Sequence, residues 1–169
     1  MLIAGYLGLI IGFGCLGLLK ARQIKRRPLE IREMINALAL LDTEIFWGST
    51  PLPEAFAFLK ERVDFPWKNF FSELETRLRD GANAASAWES AIYSQRKKFS
   101  LLEDDWRIIS SLGKGLGRSD RNEQHKQLEL VQKHLNSVAE RARDNAESKA
   151  KMWSYLGFLS GMAIVIFIM

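Results

Sequence analysis

Two apolar stretches without charged residues occupy the ends of this chain, and they constrain its fold more than any other feature. Residues 2–19 and 153–169 contain no Asp, Glu, Lys, Arg or His, whereas charged residues are spread throughout the region between them. An apolar run of about eighteen residues is long enough to cross a bilayer core as a helix. We therefore expect a transmembrane helix in each stretch and one polar domain between them. The alternative for each stretch is a buried core helix.

The basic residues beside the two stretches predict an orientation. Lys149 and Lys151 precede the second stretch, and five basic residues follow the first: Lys20, Arg22, Lys25, Arg26 and Arg27. Lys and Arg close to a span favour the cytoplasmic side, so both termini are expected to be extracytoplasmic and the middle cytoplasmic. The same cluster suits contact with anionic membrane lipids. A signal peptide is excluded because its basic residues would come before its apolar core.

Small residues recur at intervals of four in both apolar stretches. Ala4, Gly8 and Gly12 share one helix face, and Gly157 and Gly161 share another. Such faces let helix backbones approach closely and are typical of helix–helix contacts in lipid. The pattern leaves open whether the partner is the other stretch or another protein.

The net charge of +4 does not indicate a nucleic-acid-binding protein. Five basic residues lie within residues 20–27, which leaves nineteen Lys and Arg against twenty acids and a charge of about −1 from Pro28 onward. Nucleic-acid-binding domains are instead basic over the binding face itself. The single Cys15 excludes an intramolecular disulfide.

Apolar residues recur at helical spacing along the whole central region, and no strand-like alternation is present. The fold class predicted is all-α: a cytoplasmic bundle of about six helices over residues 28–150, flanked by transmembrane helices at residues 2–19 and 153–169. The central helices are expected to begin near Pro28, Thr50, Pro66, Asn83, Leu101 and Asp120, and the last to continue into the second apolar stretch. The predicted core includes Trp67, Phe71, Leu74, Trp88, Trp106, Ile109, Leu128 and Leu135.

No catalytic, metal-binding or cofactor motif is found in the sequence, and we predict neither an enzyme nor a cofactor. His125 and His134 lack partners at metal-ligand spacing and are interpreted as surface residues. The glycine-rich segment 113–117 lacks the order of a phosphate-binding loop and follows a predicted helix, which favours a helix–helix turn.

Two polar places are candidate partner-binding sites. Glu44 lies among apolar residues, where it is either a partly buried, paired acid or a rim acid that reaches solvent. The second place is the predicted start of the last helix, where simple capping needs only one or two polar groups. It carries Arg118, Ser119, Asp120, Arg121 and Gln124. The alternatives there are helix capping and a docking surface.

Several segments, in this order, resemble the stage III sporulation protein AB family of endospore-forming Firmicutes. They are Arg27-Pro28, Leu41-x-x-Glu44-Ile45-x-x-Gly48-x-Thr50-Pro51-Leu52, Ala87-Trp88, Leu112-Gly113-x-x-Leu116-Gly117-x-Ser119-Asp120-x-x-x-Gln124 and Leu156-Gly157-Phe158-Leu159-Ser160-Gly161. The resemblance covers nearly the whole chain.

The resemblance implies a helical domain similar to the F-protein domain of type II secretion and type IV pilus machines. It implies a non-enzymatic platform in the channel complex between mother cell and forespore, located in the outer forespore membrane with its domain in the mother-cell cytoplasm. The implied partners are other stage III channel proteins and above all the cytoplasmic ATPase, stage III sporulation protein AA.

The alternative function is a membrane-anchored sensor or regulator of sporulation whose long last helix transmits a signal. Such a helix is expected to pair with a second copy as a coiled coil. A platform domain should instead bury the apolar stripe from Leu128 to Ala142 against its own helices. The burial of this stripe therefore separates the two hypotheses.

Overall fold

The computed structural model describes residues 2–117 and 120–168, and within these it describes the side chains except at residues 2–14, 16–17, 157–158, 161 and 164–168. The described chain forms six α-helices and a short 3₁₀ turn at Arg96–Lys98, with no strand. The helices are α1 (Leu2–Phe46), α2 (Leu52–Lys60), α3 (Trp67–Arg79), α4 (Ala84–Gln95), α5 (Glu103–Gly113) and α6 (Arg121–Ile168). The all-α prediction is confirmed.

The predicted membrane spans are not found. Over the residues that the structure describes, no helix combines the length and the apolar character needed to cross a bilayer. The prediction of a two-span membrane protein with extracytoplasmic termini in the outer forespore membrane is therefore wrong.

The first helix is longer than the sequence indicates. We expected a helix to begin at Pro28, but Pro28 lies inside α1, which runs unbroken over 45 residues. Proline removes one backbone hydrogen bond from a helix interior and is usually found at a helix start. Here the helical preference of the residues on both sides outweighs that loss.

The chain divides into two compact units. The larger comprises residues 29–139, and the smaller comprises residues 1–28 together with residues 140–169. The predicted domain limits of 28 and 150 stay a prediction.

The larger unit is built around an aromatic core. Trp67 and Trp88 are fully buried, as are Phe56, Phe70 and Phe71. The rings of Trp67 and Phe70 and of Phe70 and Trp88 meet edge to face, with centroids 5.3 Å and 5.2 Å apart, and those of Phe56 and Phe71 are stacked at 6.0 Å. These are the arrangements that aromatic quadrupoles favour. All eight side chains predicted for the core are buried, which confirms that prediction.

Two buried indoles are hydrogen-bonded to helix backbone, as large polar-tipped side chains must be when water is excluded. The Trp67 Nε1–H donates to the Glu30 carbonyl at 2.8 Å, and the Trp88 Nε1–H donates to the Ile109 carbonyl at 3.0 Å. Trp88 also lies directly against Gly113, where an added Cβ would come within 2.6 Å of the indole. α4 and α5 approach closely here because residue 113 has no side chain.

The smaller unit has a buried seam of alanines. Ala142, Ala146 and Ala150 recur every fourth residue on α6 and are buried, as is Ala21 on α1. Residues four apart in a helix lie on the same face. The buried residues described in this unit are all alanines, and their small side chains let the two helices pack closely.

Glu73 joins α3 to α4. Its carboxylate accepts hydrogen bonds from Arg77 on its own helix and from Ser94 and Gln95 on α4. Burial raises the pKa of Glu73. The hydrogen bonds from Ser94, Gln95 and Arg77 and the positive charge of Arg77 lower the pKa by more, so it lies below the usual 4.5. The charged form is therefore favoured by folding.

We expect Trp88→Ala to lower the free energy of unfolding by about 3–5 kcal/mol, because it leaves a cavity in the aromatic core. Urea denaturation followed by circular dichroism measures this change. A loss below about 1 kcal/mol would mean that Trp88 does not support the core, since that is less than the usual cost of a buried large-to-small substitution.

We expect Glu73→Gln to destabilise the chain at pH 7 and progressively less in acid. A carboxylate whose folded pKa is lowered contributes stability above its unfolded pKa, and the contribution is lost as pH falls through the folded pKa. The difference in the free energy of unfolding between wild type and variant should therefore shrink as the pH falls below 4.5, the ordinary pKa of a Glu side chain. Urea denaturation across this range measures it, with Glu89→Gln at an exposed position of α4 as the control. A difference that does not change with pH would contradict the assignment.

Candidate functional site

A cleft of about 200 Å³ in the larger unit brings together two distant parts of the sequence. One wall comes from the end of α1 and the start of α2, and the other from the turn before α6 and its first residues. The lining residues are Ile45, Ser49, Thr50, Pro51, Leu52, Gly117, Arg121 and Gln124. We refer to this as the α2–α6 cleft. It includes two of the predicted partner-binding residues, Arg121 and Gln124.

The wall after α1 is organised by Glu44. The Thr50 hydroxyl donates to the Glu44 carboxylate at 2.7 Å, and the Thr50 backbone N–H donates to the Glu44 carbonyl at 3.0 Å. The second central helix was expected to begin near Thr50, but it begins at Leu52, and Pro51 takes the capping position without a side-chain hydrogen bond. Glu44 is partly buried and paired, which is the first of the two alternatives for this residue.

The opposite wall is set by the turn between α5 and α6. Asp120 caps α6, because its side chain accepts a hydrogen bond from the Glu123 backbone N–H at 2.8 Å. Gly117 has a φ of 72°, and an added Cβ would lie 3.2 Å from a methyl carbon of Leu52. Gln124 is buried, and its side-chain oxygen accepts a long hydrogen bond of 3.4 Å from the Gly117 N–H. A residue with a side chain would be strained at 117.

Arg121 is the charged group that this cleft offers to solvent. Its side chain is exposed, and within the described residues its guanidinium makes no ion pair or hydrogen bond. Asp120 and Glu44, by contrast, are occupied by the backbone and by Thr50. An exposed guanidinium above an apolar wall can bind a carboxylate and an adjacent apolar group of a partner.

A second, apolar cleft of about 320 Å³ continues from the first. The two share Leu52 and Gly117, and the second is otherwise lined by Pro53, Leu78, Asn83, Ala84, Ala85 and Leu116. The second cleft is lined mostly by apolar residues, whereas the first carries the charged Arg121. This arrangement suits binding of a protein segment more than chemistry on a small molecule.

The structure assigns a structural role to His125 that sequence reasoning missed. Its Nδ1 lies 2.8 Å from both carboxylate oxygens of Asp42, and its ring stacks on Phe46 with centroids 4.7 Å apart. Asp42 and Phe46 are four residues apart and share one face of α1, but this spacing alone does not indicate that His125 packs against them. No group of three His, Cys, Asp or Glu residues within the described chain is arranged to hold a metal ion.

The remaining predicted site residues fall elsewhere. Arg118 and Ser119 lie outside the described residues. The structure places the five predicted helix-packing residues in α1 and α6 but does not describe their side-chain environment: Ala4, Gly8, Gly12, Gly157 and Gly161. The predicted membrane-proximal basic residues Lys20, Arg22, Lys25 and Arg26 are exposed, and Arg27 is partly buried. The roles of all these residues stay predictions.

The family model for stage III sporulation protein AB (spore_III_AB) matches residues 2–169. The chain belongs to this family. The match covers both walls of the α2–α6 cleft, and the family resemblance seen in the sequence is confirmed. The family description names a sporulation protein and no enzymatic activity.

Two relatives support the assignment. The chain is 28% identical over 168 residues to stage III sporulation protein AB of Bacillus subtilis (strain 168), covering 99% of this chain and 98% of that protein. A solved structure of a stage III sporulation protein AB superposes with a TM-score of 0.69 at 28% identity, over 72% of this chain and 97% of that one. The family therefore links this chain to sporulation.

We expect Thr50→Val to lower the free energy of unfolding by about 1.5–3 kcal/mol, because it removes a hydrogen bond to the Glu44 carboxylate without changing the side-chain shape. Thr43→Val is the matched control, since the Thr43 hydroxyl donates only to the Ala39 carbonyl of its own helix. Chemical denaturation compares the two. Equal losses would show that the Thr50–Glu44 pair adds nothing specific to the cleft wall.

Proposed function

We propose that this protein is a non-enzymatic platform component of the channel complex between mother cell and forespore. In this role it docks the complex's cytoplasmic ATPase, stage III sporulation protein AA, to other stage III channel proteins. The proposal starts from the family match over residues 2–169. It adds to the family's place in sporulation a specific task and specific partners.

The observation that carries the proposal is the burial of the α6 stripe. Leu128 and Leu135 are fully buried and Val131 nearly so within a single chain, Ala142 is also buried, and Val138 is half-buried. A signalling helix that pairs with a second copy needs an apolar seam of this spacing available to its partner. The burial supports a platform domain over the alternative of a sensor or regulator.

The α2–α6 cleft is the surface that we assign to docking. Interface energy is concentrated in a few residues, among which Arg and aromatic side chains are common. Arg121 is exposed at the cleft, and Trp47, 79% exposed, lies two residues before its lining residue Ser49. Glu44 and Asp120 hold the walls in place and are not offered to the partner.

We expect Arg121→Ala to weaken binding of the purified ATPase by about 2 kcal/mol or more while leaving the unfolding transition nearly unchanged. Removing one partner of a desolvated charge pair costs this much because the other charge stays unpaired. Lys126→Ala is the control, since Lys126 is an exposed cation on the same helix that does not line the cleft. Calorimetric titration measures binding, and thermal melting measures stability.

Each outcome decides between the hypotheses. Equal weakening by both variants would move the docking surface away from the cleft. Wild-type protein that fails to bind the ATPase would remove the docking role itself. Light scattering of the purified protein separates the alternative function, because a helix-paired sensor requires a stable dimer.

A further inference from the structure

A third cleft lies within the smaller unit, between the first part of α1 and the last part of α6. Its volume is about 560 Å³. Residues 18, 21, 22 and 25 form the wall on α1, and residues 147, 150, 151, 154 and 155 form the wall on α6. Both sets follow the spacing of one helix face. We refer to it as the basic cleft.

The rim of the basic cleft is cationic. Arg22, Lys25 and Lys151 line it and are exposed, and within the described residues none of them makes an ion pair. The acid among the lining residues is Glu147, whose carboxylate accepts a hydrogen bond from Arg143 at 3.0 Å. Three positive charges therefore face one carboxylate that is already paired with Arg143.

Two of the lining cations, Lys25 and Lys151, act electrostatically on Glu147. The pKa of Glu147 is lowered by the hydrogen bond from Arg143 and by its charge, and further by the charges of Lys151 and Lys25. Residues from both helices thus act on the same position. The local excess of positive charge is a property of the two helices together.

Small side chains form the floor of the basic cleft, and two residues with hydroxyl groups lie on its rim. Ala21 and Ala150 are buried and contribute only methyl groups, which leaves space between the longer rim side chains. The Ser154 hydroxyl donates to the Ala150 carbonyl at 2.9 Å, and Tyr155 is 69% exposed. The Tyr155 hydroxyl can donate to a bound anion beside the three cations.

We propose that the basic cleft binds a ligand through its phosphate group. Lys and Arg are the usual phosphate partners, and three unpaired cations match a multiply charged phosphate better than a singly charged carboxylate. Leu18 on the rim adds an apolar contact for the body of the ligand. The phosphate can belong to a soluble molecule or to a phospholipid headgroup, and the same cations would hold either.

The test compares two triple variants of the full-length chain with the same change in net charge. Arg22→Gln, Lys25→Gln and Lys151→Gln remove the cations that line the cleft. Lys20→Gln, Arg26→Gln and Lys149→Gln remove three exposed cations from the same helices that do not line it. Calorimetry measures binding of pyrophosphate and, separately, of detergent micelles that contain phosphatidylglycerol.

We expect the cleft triple variant to bind about tenfold more weakly or worse, because it loses charge-assisted hydrogen bonds, and the control triple variant to bind within about threefold of wild type. Binding of pyrophosphate identifies a soluble phosphate ligand, and binding of the micelles alone identifies a headgroup. Equal weakening in both variants would overturn the proposal, since general attraction between charges would then suffice. Wild-type protein that binds neither probe would also overturn it.

Two further measurements keep the result interpretable. Circular dichroism checks that both triple variants are folded, and Lys151→Gln against Lys149→Gln replaces them if either is not. An oligoglutamate peptide tests a carboxylate-bearing partner: if it binds wild type while pyrophosphate and micelles do not, the cleft is a protein site and the proposal fails. The result is independent of ATPase docking, which uses the larger unit.

Discussion

The contact between Trp88 and Gly113 determines where the chain turns toward the α2–α6 cleft. The indole donates a hydrogen bond to the Ile109 carbonyl and lies where a side chain on residue 113 would be. α5 ends at Gly113, so the turn that follows starts from this fixed point and brings buried Leu116 and then Gly117 against Leu52. The position of Arg121 at the cleft depends on this path.

The elements of the fold could be predicted because they are set by local sequence. Asn83 caps α4, with its side chain accepting from the Ser86 N–H, and Asp120 caps α6, as their residue types predict. Pro28 is the exception. The preference of proline for the first turn of a helix predicted a helix start at Pro28, but α1 continues through this residue. The two-span prediction came from the length of the charge-free stretches at the two ends. Among the described residues, no helix is long and apolar enough to cross a bilayer.

The site was only partly predictable, because its walls are about seventy residues apart in the sequence. Arg121 and Gln124 stood out as crowded polar residues, and Glu44 as a polar residue among apolar ones. Nothing in the sequence indicated that the Thr50 hydroxyl would donate to the Glu44 carboxylate, six residues earlier in the chain. The pairing of His125 with Asp42 likewise depends on two helices packing at one register, which residue spacing within either helix does not determine.

The uneven burial of the tryptophans gives this protein its own optical reporter. Trp67, Trp88 and Trp106 are buried, whereas Trp47 is 79% and Trp153 is 39% exposed. In a Trp153→Phe variant, a water-soluble quencher such as iodide should reach Trp47 and leave the emission of the three buried indoles unchanged. Trp47 adjoins the α2–α6 cleft in the chain, with its ring edge on Phe46. The quenchable fraction of the fluorescence therefore reports whether a partner covers Trp47, without an attached dye.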